Sequence, residues 1–448
     1  MKRGTIVALA SGAGRAGIAV IRLSGPEAGP TLAALTERDL PKPRRAARRA
    51  FFHPETELPL DDGIAIWFPG PRSFTGEDVA ELHVHGGPAV VAAIIDACLT
   101  QPGVRIAEPG EYTRRAFENG KLDLAEAEGL ADLVDAETEA QRRQALRQCR
   151  GALSSFYEAW RARLIEAAAL IEAEIDFPDE DLPGVLAQRA GPILQALADE
   201  LAAHLNDAHR GERIRDGYRI AIIGPPNAGK SSLLNALAQR EAAIGSEMPG
   251  TTRDVVEVRL VLAGFPVWIA DTAGLREAAD AIEAEGVRRA LERAEEADLR
   301  IGVVEAGAEI PRSLLSVLGT GDVLALSKAD LVPPAAPPTG AGAADQPAAL
   351  GVSARTGAGL ANLEALLARY VADALGREEA PVLTRARHRR LVEEARVAIL
   401  RAIPALDQGA ELAAEDVRAA SAAIGRLTGR IDVEDLLDEI FASFCIGK

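Results

Sequence analysis

Residues 220–231 read Ile-Ala-Ile-Ile-Gly-Pro-Pro-Asn-Ala-Gly-Lys-Ser. Four apolar residues in succession suit a strand covered on both faces, as in a parallel sheet. Ser232 to Ala238, which follows, reads as a helix. The turn between them, Gly224 to Ser231, has glycines at 224 and 229, so its backbone can wrap phosphate oxygens. Its amides and the helix N-terminus supply positive potential. Lys230 is placed to reach the β and γ phosphates of a nucleotide, and the Ser231 hydroxyl to meet Mg²⁺. Asn227, Ala228, Gly229 and Ser232 belong to the same cradle. Such a spacing arises by chance in glycine-rich chains, but here a strand precedes it and a helix follows.

Working outward, Val267–Ala270, Ile301–Val304 and Val323–Leu326 are further continuous apolar runs alternating with helical stretches. That pattern predicts a parallel sheet with helices on both faces over residues 216–376. The polar loops fall in a telling order. Thr251-Thr252-Arg253-Asp254 offers a hydroxyl to complete Mg²⁺ coordination. Asp271-Thr272-Ala273-Gly274 ends a strand, with Asp271 for Mg²⁺ through water and the Gly274 amide for the γ-phosphate. Ser327-Lys328-Ala329-Asp330 is similar to the guanine-reading Asn-Lys-x-Asp motif, and Ser353-Ala354-Arg355 to its companion loop. The set looks like a GTPase. Two positions depart from the pattern. Ser327 stands where Asn is usual, and Leu275 where signalling GTPases carry a water-orienting Gln, so hydrolysis must recruit another polar group from Arg276, Glu277, Asp280 or Glu283.

The whole chain has 448 residues, 67 acidic against 50 basic, and a net charge of -17. Length suggests about three domains. The charge argues against nucleic acid coating the whole surface, and confines such contact to local basic patches. Three stand out: Arg44, Arg45, Arg48 and Arg49; Arg142, Arg143, Arg147 and Arg150; and Arg385, Arg387, Arg389 and Arg390. Any one such cluster is more often a solvated face. Three cysteines make no disulfide framework. Neither a secretory segment nor a run of 18 apolar residues is found, which predicts a cytoplasmic protein without a membrane span.

Residues 1–119 read as a small α/β unit. Thr5–Ala8, Ile18–Ile21, Ile64–Phe68 and Glu81–His85 are its strands, and a helix opens at Pro88. Residues 120–215 and 377–448 read as helical, with Leu153, Phe156, Trp160, Leu164, Ile171 and Ile175 forming a stripe. Helical segments flanking the central block are expected to pack together, making residues 216–376 an insertion. Val332–Ala348 reads as a surface loop.

Several segments outside the nucleotide motifs carry a specific resemblance: Arg72-Ser73-Phe74-Thr75-Gly76-Glu77-Asp78, His85-Gly86-Gly87-Pro88, Pro109 to Phe117, Asn119 to Glu128, and the tail Phe444-Cys445-Ile446-Gly447-Lys448. With the nucleotide motifs they resemble, over essentially the whole chain, the MnmE (TrmE) family of tRNA-modifying GTPases. The resemblance implies a fold of three parts: an N-terminal α/β tetrahydrofolate-binding and dimerisation domain, a helical domain, and a P-loop GTPase domain inserted in it. It implies a homodimer that joins an FAD-dependent partner in a heterotetramer, FAD residing on the partner only. The pair adds an aminomethyl or carboxymethylaminomethyl group at C5 of the wobble uridine of certain tRNAs. The one-carbon unit comes from 5-formyl- or 5,10-methylene-tetrahydrofolate, and K⁺ stimulates GTP hydrolysis.

Carried onto this sequence, the folate contacts fall on Arg22, Glu81, Lys121 and Lys448. Cations there suit the anionic glutamate tail, and a carboxylate suits the N–H groups of the pterin. K⁺ falls to Asn227, Ser246, Met248 and Thr251, within the nucleotide-facing run Ser246-Glu247-Met248-Pro249-Gly250. Mg²⁺ falls to Ser231 and Thr252, and the water-positioning acid to Glu283. Cys445 invites a nucleophile reading, since thiolate addition to C6 of a uridine activates C5 and Lys448 is near in sequence; the alternative is a cysteine that only lines the folate pocket. Two other functions compete: a GTP switch in ribosome assembly without modification activity, and a folate-handling enzyme regulated by nucleotide.

Overall fold

The computed structural model describes residues 4–176, 186–240, 257–271, 295–332, 347–376, 382–431, 434–442, 444, 446 and 447. The chain divides into two compact units. One comprises Met1–Ala131, Cys149–Ala187 and Gly409–Lys448; the other Asp132–Gln148 and Gln188–Gln408.

The first unit is built on six strands: β1 (Thr5–Leu9), β2 (Ala16–Ser24), β3 (Ala47–Phe52), β4 (Pro59–Phe68), β5 (Val79–Gly86) and β6 (Val104–Ile106). Their order is β3-β4-β5-β2-β1-β6. Every pairing is antiparallel except β1 with β6. Successive side chains point to opposite faces of such a sheet. Ile21, Leu23, Ala65, Trp67, Leu82 and Val84 therefore share one face, buried with residues of the helices Ala28–Thr36 and Pro88–Leu99. Their alternates Arg22, Ile64, Ile66, Glu81 and His83 share the other. The alternation Glu81–His85 made β5 legible. By contrast β3 carries Arg48 and Arg49 and reads as a basic cluster; pairing with β4 supplies its backbone partners and makes it a strand.

In the same unit the helix Ala152–Asp176 buries Leu153, Tyr157, Trp160, Leu164, Ala167 and Ile171 and packs along the helix Ala410–Thr428. Tyr157, outside the expected stripe, is buried, while Phe156 and Ile175, within it, are only half-buried. Near the chain end, Leu437, Phe441 and Phe444 cluster with Phe117, Leu124 and Ala127. Ile446 bridges to Pro109. Gly447, at φ +97°, lies so close to β1 that a Cβ would stand 2.1 Å from the Leu9 carbonyl oxygen, which only glycine permits.

The second unit holds β7 (Tyr218–Ile223), β8 (Glu257–Leu262), β9 (Phe265–Asp271), β10 (Leu299–Glu305), β11 (Val323–Ser327) and β12 (Ala348–Gly351). The order is β12-β11-β10-β7-β9-β8, parallel throughout except for the β8–β9 hairpin. Ile220, Ile222, Val267 and Ile269 face the helices Lys230–Arg240 and Leu360–Leu375 through Leu233, Leu237, Leu363 and Leu367. Ala221, Ile223, Val304 and Leu324 face Leu314 and Leu318 on the other side. Cover on both faces is why these strands read as unbroken apolar runs. The helix Ala190–Leu205 packs on the helix Ala386–Ala405 within this unit. The helices flanking the parallel sheet in sequence thus pack on one another, one pair in each unit.

Two strands of this sheet were not expected. β8 joins β9 through Ala263-Gly264, both at positive φ, a tight hairpin lacking the usual Asn-Gly signal. Ala348, the last residue of the expected surface loop, instead opens β12, pairing with Val323 in the register of β11. Residues 333–346 lie outside the described residues.

Candidate functional site

The chemistry-bearing loops of the second unit leave the carboxyl ends of β7, β9 and β11, where ligands of open parallel sheets bind. At Gly224, φ is +150°, and a Cβ would stand 2.2 Å from the carbonyl oxygen of Val303 on β10. Glycine is needed there for the loop to lie against the sheet. Asn227 sits at φ +59° and Gly229 at +90°, turning the backbone into the helix that begins at Lys230. Lys230 is buried at 5% exposure. Its Nζ donates to the carbonyls of Gly224 and Pro225, both at 2.8 Å. Those oxygens hold the ammonium over the loop's concave side. Burial pulls its pKa below the ordinary lysine value, with the Asp271 carboxylate opposing.

Ser231 Oγ donates to Oδ2 of Asp271, which is 2% exposed at the end of β9. A hydroxyl and a carboxylate in contact, beside a cationic phosphate cradle, are hard oxygen donors that fit a Mg²⁺ ion bound together with phosphate. Among the described residues no cluster of three or more His, Cys, Asp or Glu is placed to hold a metal ion.

Beside the cradle is a cavity of about 390 Å³ lined by Gly229, Leu233, Asn235, Ser327, Lys328, Asp330, Ser353 and Arg355 among others. It joins the helix after the cradle to the loops after β11 and β12. Ser327 is buried at 5% exposure; its Oγ donates to the carbonyl of Ala228 at 2.6 Å and lies 3.3 Å from that of Val304. The residue that departs from the Asn-Lys-x-Asp pattern thus keeps one Asn-like task, tying the base loop to the phosphate loop. Lys328, at φ +53°, reaches Glu305 Oε2 at 2.7 Å. Asp330 Oδ2 accepts from Arg355 Nη2 at 2.7 Å and Nε at 3.2 Å. The Ser353 hydroxyl, then Arg355, holds its carboxyl below the usual carboxylate range. Asp330 is therefore an ionised acceptor aimed at the cavity, suited to a pair of ring N–H donors. Sequence reasoning overlooked Glu305, whose only signal was its place at the end of β10.

Comparison with known proteins completes this picture. The family model described as MnmE helical domain matches residues 124–445, and that described as GTP-binding protein TrmE N-terminus matches residues 5–121. A tRNA modification GTPase MnmE from Parvibaculum lavamentivorans is 59% identical over 99% of this chain and 100% of its own length. The chain belongs to the MnmE family of tRNA modification GTPases. The MnmE of Maricaulis maris is 54% identical over 99% of both chains. Among solved structures, the G domain of the T. maritima FeoB iron transporter aligns with 34% of this chain at 23% identity and a TM-score of 0.26.

For an MnmE-family chain the first unit holds a second cluster of interest. Arg22 on β2 and Glu81 on β5 are partners in register. Arg22 Nη2 and Nε lie 2.9 and 3.1 Å from Glu81 Oε1, with both side chains roughly a fifth exposed. The rings of Phe74 and Tyr112 each have their centroid 5.8 Å from the Arg22 guanidinium. Tyr112 Oη donates to the Arg22 carbonyl at 2.5 Å, and burial raises its pKa. His83 Nε2 lies 3.4 Å from Glu81 Oε2. Lys121 is exposed, and its Cε lies 3.2 Å from where a Cβ on Gly76 would stand, so it flanks the loop that carries Phe74. A partly exposed cation and carboxylate, with the exposed Phe74 ring beside them and the buried Tyr112 ring behind Arg22, match an anionic, flat, N–H-bearing ligand. Phe74 and Tyr112 went unassigned in the sequence although both lie in segments that carry the family resemblance.

Other expected residues lie outside the described ones: Ser246, Glu247, Met248, Pro249, Gly250, Thr251, Thr252, Thr272, Ala273, Gly274, Glu283, Cys445 and Lys448. Several arginines of the basic clusters are engaged structurally. Arg389 pairs with Asp207 at 2.6 Å and also donates to the Leu205 carbonyl. Arg385 pairs with Asp132 at 2.6 Å, Arg142 with Glu139 at 2.7 Å, and Arg44 donates to the Arg72 carbonyl. Among the described residues no helix is long and apolar enough to cross a membrane.

Proposed function

We propose that this protein binds and hydrolyses GTP in the cavity between Lys230 and Asp330, and that hydrolysis serves modification of the wobble uridine of certain tRNAs at C5. The observation that carries the nucleotide assignment is the continuous arrangement from the buried Lys230 and the Ser231–Asp271 pair to the ionised Asp330. Lys230 exchanges its two carbonyl partners for β and γ phosphate oxygens; Ser231, with Asp271 through water, would hold Mg²⁺, which would supply countercharge for the phosphates. Asp330 takes the two N–H donors of guanine. Leu275 cannot orient water, so that task is assigned to Glu283. K⁺, held by Asn227 with Ser246, Met248 and Thr251, takes the place of an arginine finger. Thr252 is the second Mg²⁺ ligand.

In the same proposal the chain acts as a cytoplasmic homodimer with an FAD-dependent partner and tRNA. Residues 1–119 form the folate domain, residues 120–215 with 377–448 the helical domain, and residues 216–376 the inserted nucleotide domain. Arg22, Glu81, Lys121 and Lys448 hold a tetrahydrofolate carrying the one-carbon unit. Supporting this, Arg22 and Glu81 are adjacent and partly exposed on one sheet face, and Gly447 lies against β1, which neighbours β2. Cys445 is assigned to that end of the chain as a nucleophile or a lining residue. A ribosome-assembly switch would leave this charged, ring-flanked face without a task. Mass spectrometry of wobble nucleosides from cells lacking the protein tests the proposal: loss of the C5 substituent is expected, and an unchanged profile would end it. Equal GTP turnover in potassium and sodium would remove the K⁺ assignment.

A further inference from the structure

The serine at 327 has a consequence for how the base is read. Guanine offers two different edges. Its Watson–Crick edge presents the N1 and N2 hydrogens and needs acceptors, whereas N7 and O6 are acceptors and need donors. A serine hydroxyl has one proton. In Ser327, a residue only 5% exposed, that proton is directed into the protein: Oγ is 2.6 Å from the Ala228 carbonyl oxygen. What remains on Oγ is lone pairs, which N7 cannot use. The neighbouring cationic donors are engaged as well, Lys328 with Glu305 at 2.7 Å and Arg355 with Asp330 at 2.7 Å. Asp330, by contrast, is an ionised acceptor facing the cavity.

We propose that Ser327 is a positioning residue that ties the base loop to the phosphate loop and leaves N7 unread, so that side-chain recognition of guanine runs through Asp330 on the Watson–Crick edge. This rests on the assignment of the cavity to a guanine nucleotide and specifies which atoms of the base are recognised there. The tether runs from β11 to Ala228, adjacent to Gly229 and two residues before Lys230. Its loss disturbs the phosphate cradle as well as the base.

The test uses the full-length protein and compares steady-state turnover of GTP with that of 7-deaza-GTP, in which N7 is replaced by C–H. The wild-type protein is expected to give kcat/KM values within about twofold for the two substrates. Ser327→Asn, which adds an amide donor, should create a preference for GTP of about fivefold, the worth of one neutral hydrogen bond. Ser327→Ala, which removes the tether and adds no donor, should raise KM for both substrates by the same factor. Ser327→Thr, which keeps the hydroxyl, should restore the wild-type KM. A wild-type preference for GTP of fivefold or more would overturn the proposal, because Ser327 would then be releasing Ala228 to reach N7. Unequal effects of Ser327→Ala on the two substrates would overturn it equally. The wild-type comparison stands whether or not the variants fold. Absence of any GTP turnover in the wild-type protein would instead end the nucleotide assignment, an outcome separate from both.

Discussion

The two sheets place their working residues by opposite rules. In the parallel sheet both faces are covered by helices, so Ile220, Ile222 and Val267 on one side and Ala221 and Ile223 on the other are all buried. No strand face is available for chemistry, and Lys230, Asp330 and Ser353 sit in loops or at a helix start beyond the strand ends. The mostly antiparallel sheet has one face in the core; on the other, Ile6 and Ala8 are covered by Tyr112, while the charged pair Arg22 and Glu81 projects partly exposed from mid-strand. The first arrangement keeps its parts in short contiguous motifs. The second brings together residues 59 positions apart through register alone.

This contrast can be broken or sharpened by experiment. The largest effect is expected at Lys230. Lys230→Ala removes the one buried cation of the phosphate loop and should lower GTP turnover on the order of a thousandfold. Calorimetric binding of 5-formyltetrahydrofolate should be unchanged; loss of both would show that the sheets are not separate sites. Next comes Arg115, whose side chain is 2% exposed and pairs with Glu77 at 2.9 Å and Glu111 at 2.8 Å. Arg115→Ala leaves Glu77 without its arginine, while Glu111 keeps Arg105, and should destabilise the first unit by about 3 kcal/mol. Thermal or urea unfolding checks this, and a shift confined to the second unit would contradict it.

A smaller effect is expected at Arg22. Arg22→Ala should weaken 5-formyltetrahydrofolate binding about tenfold through loss of a charge-assisted contact, with GTP turnover unaltered. If turnover falls in parallel, this sheet face is not the folate site proposed here. The smallest effect concerns pH. Asp330's carboxyl is held below its ordinary value, so its contribution is present above the ordinary carboxylate pKa of about 4 and is lost only as pH falls through the lower folded value. Guanine nucleotide binding should therefore show no Asp330 titration between about pH 5 and pH 8. A titration step within that window that disappears in Asp330→Asn would contradict the Ser353 and Arg355 contacts.

Legibility followed the same division. The strand, turn and helix around Gly224–Ser231 could be read directly, because each residue acts on its sequence neighbours. β5 was equally plain, since period-two alternation survives wherever one face is wet. β3 was not, because Ala-Arg-Arg-Ala-Phe-Phe is a strand only by virtue of β4 beside it. β8 and β12 were missed for related reasons: the first turns at Ala263-Gly264 without a strong turn signal, and the second is four residues long at a sheet edge. The basic clusters misled differently. Arg389 looked like a surface charge but is half-buried against Asp207 and the Leu205 carbonyl, partners more than 180 positions away in sequence.

Local order alone determined the phosphate loop, the strand-and-helix alternation around it and the acidic balance of the chain, since these depend on neighbouring residues or on simple sums. The tertiary structure decided where the Ser327 proton goes, which rings flank Arg22 and how each helix finds its partner. Those outcomes depend on distances between segments remote in sequence, and only packing of the apolar faces sets them.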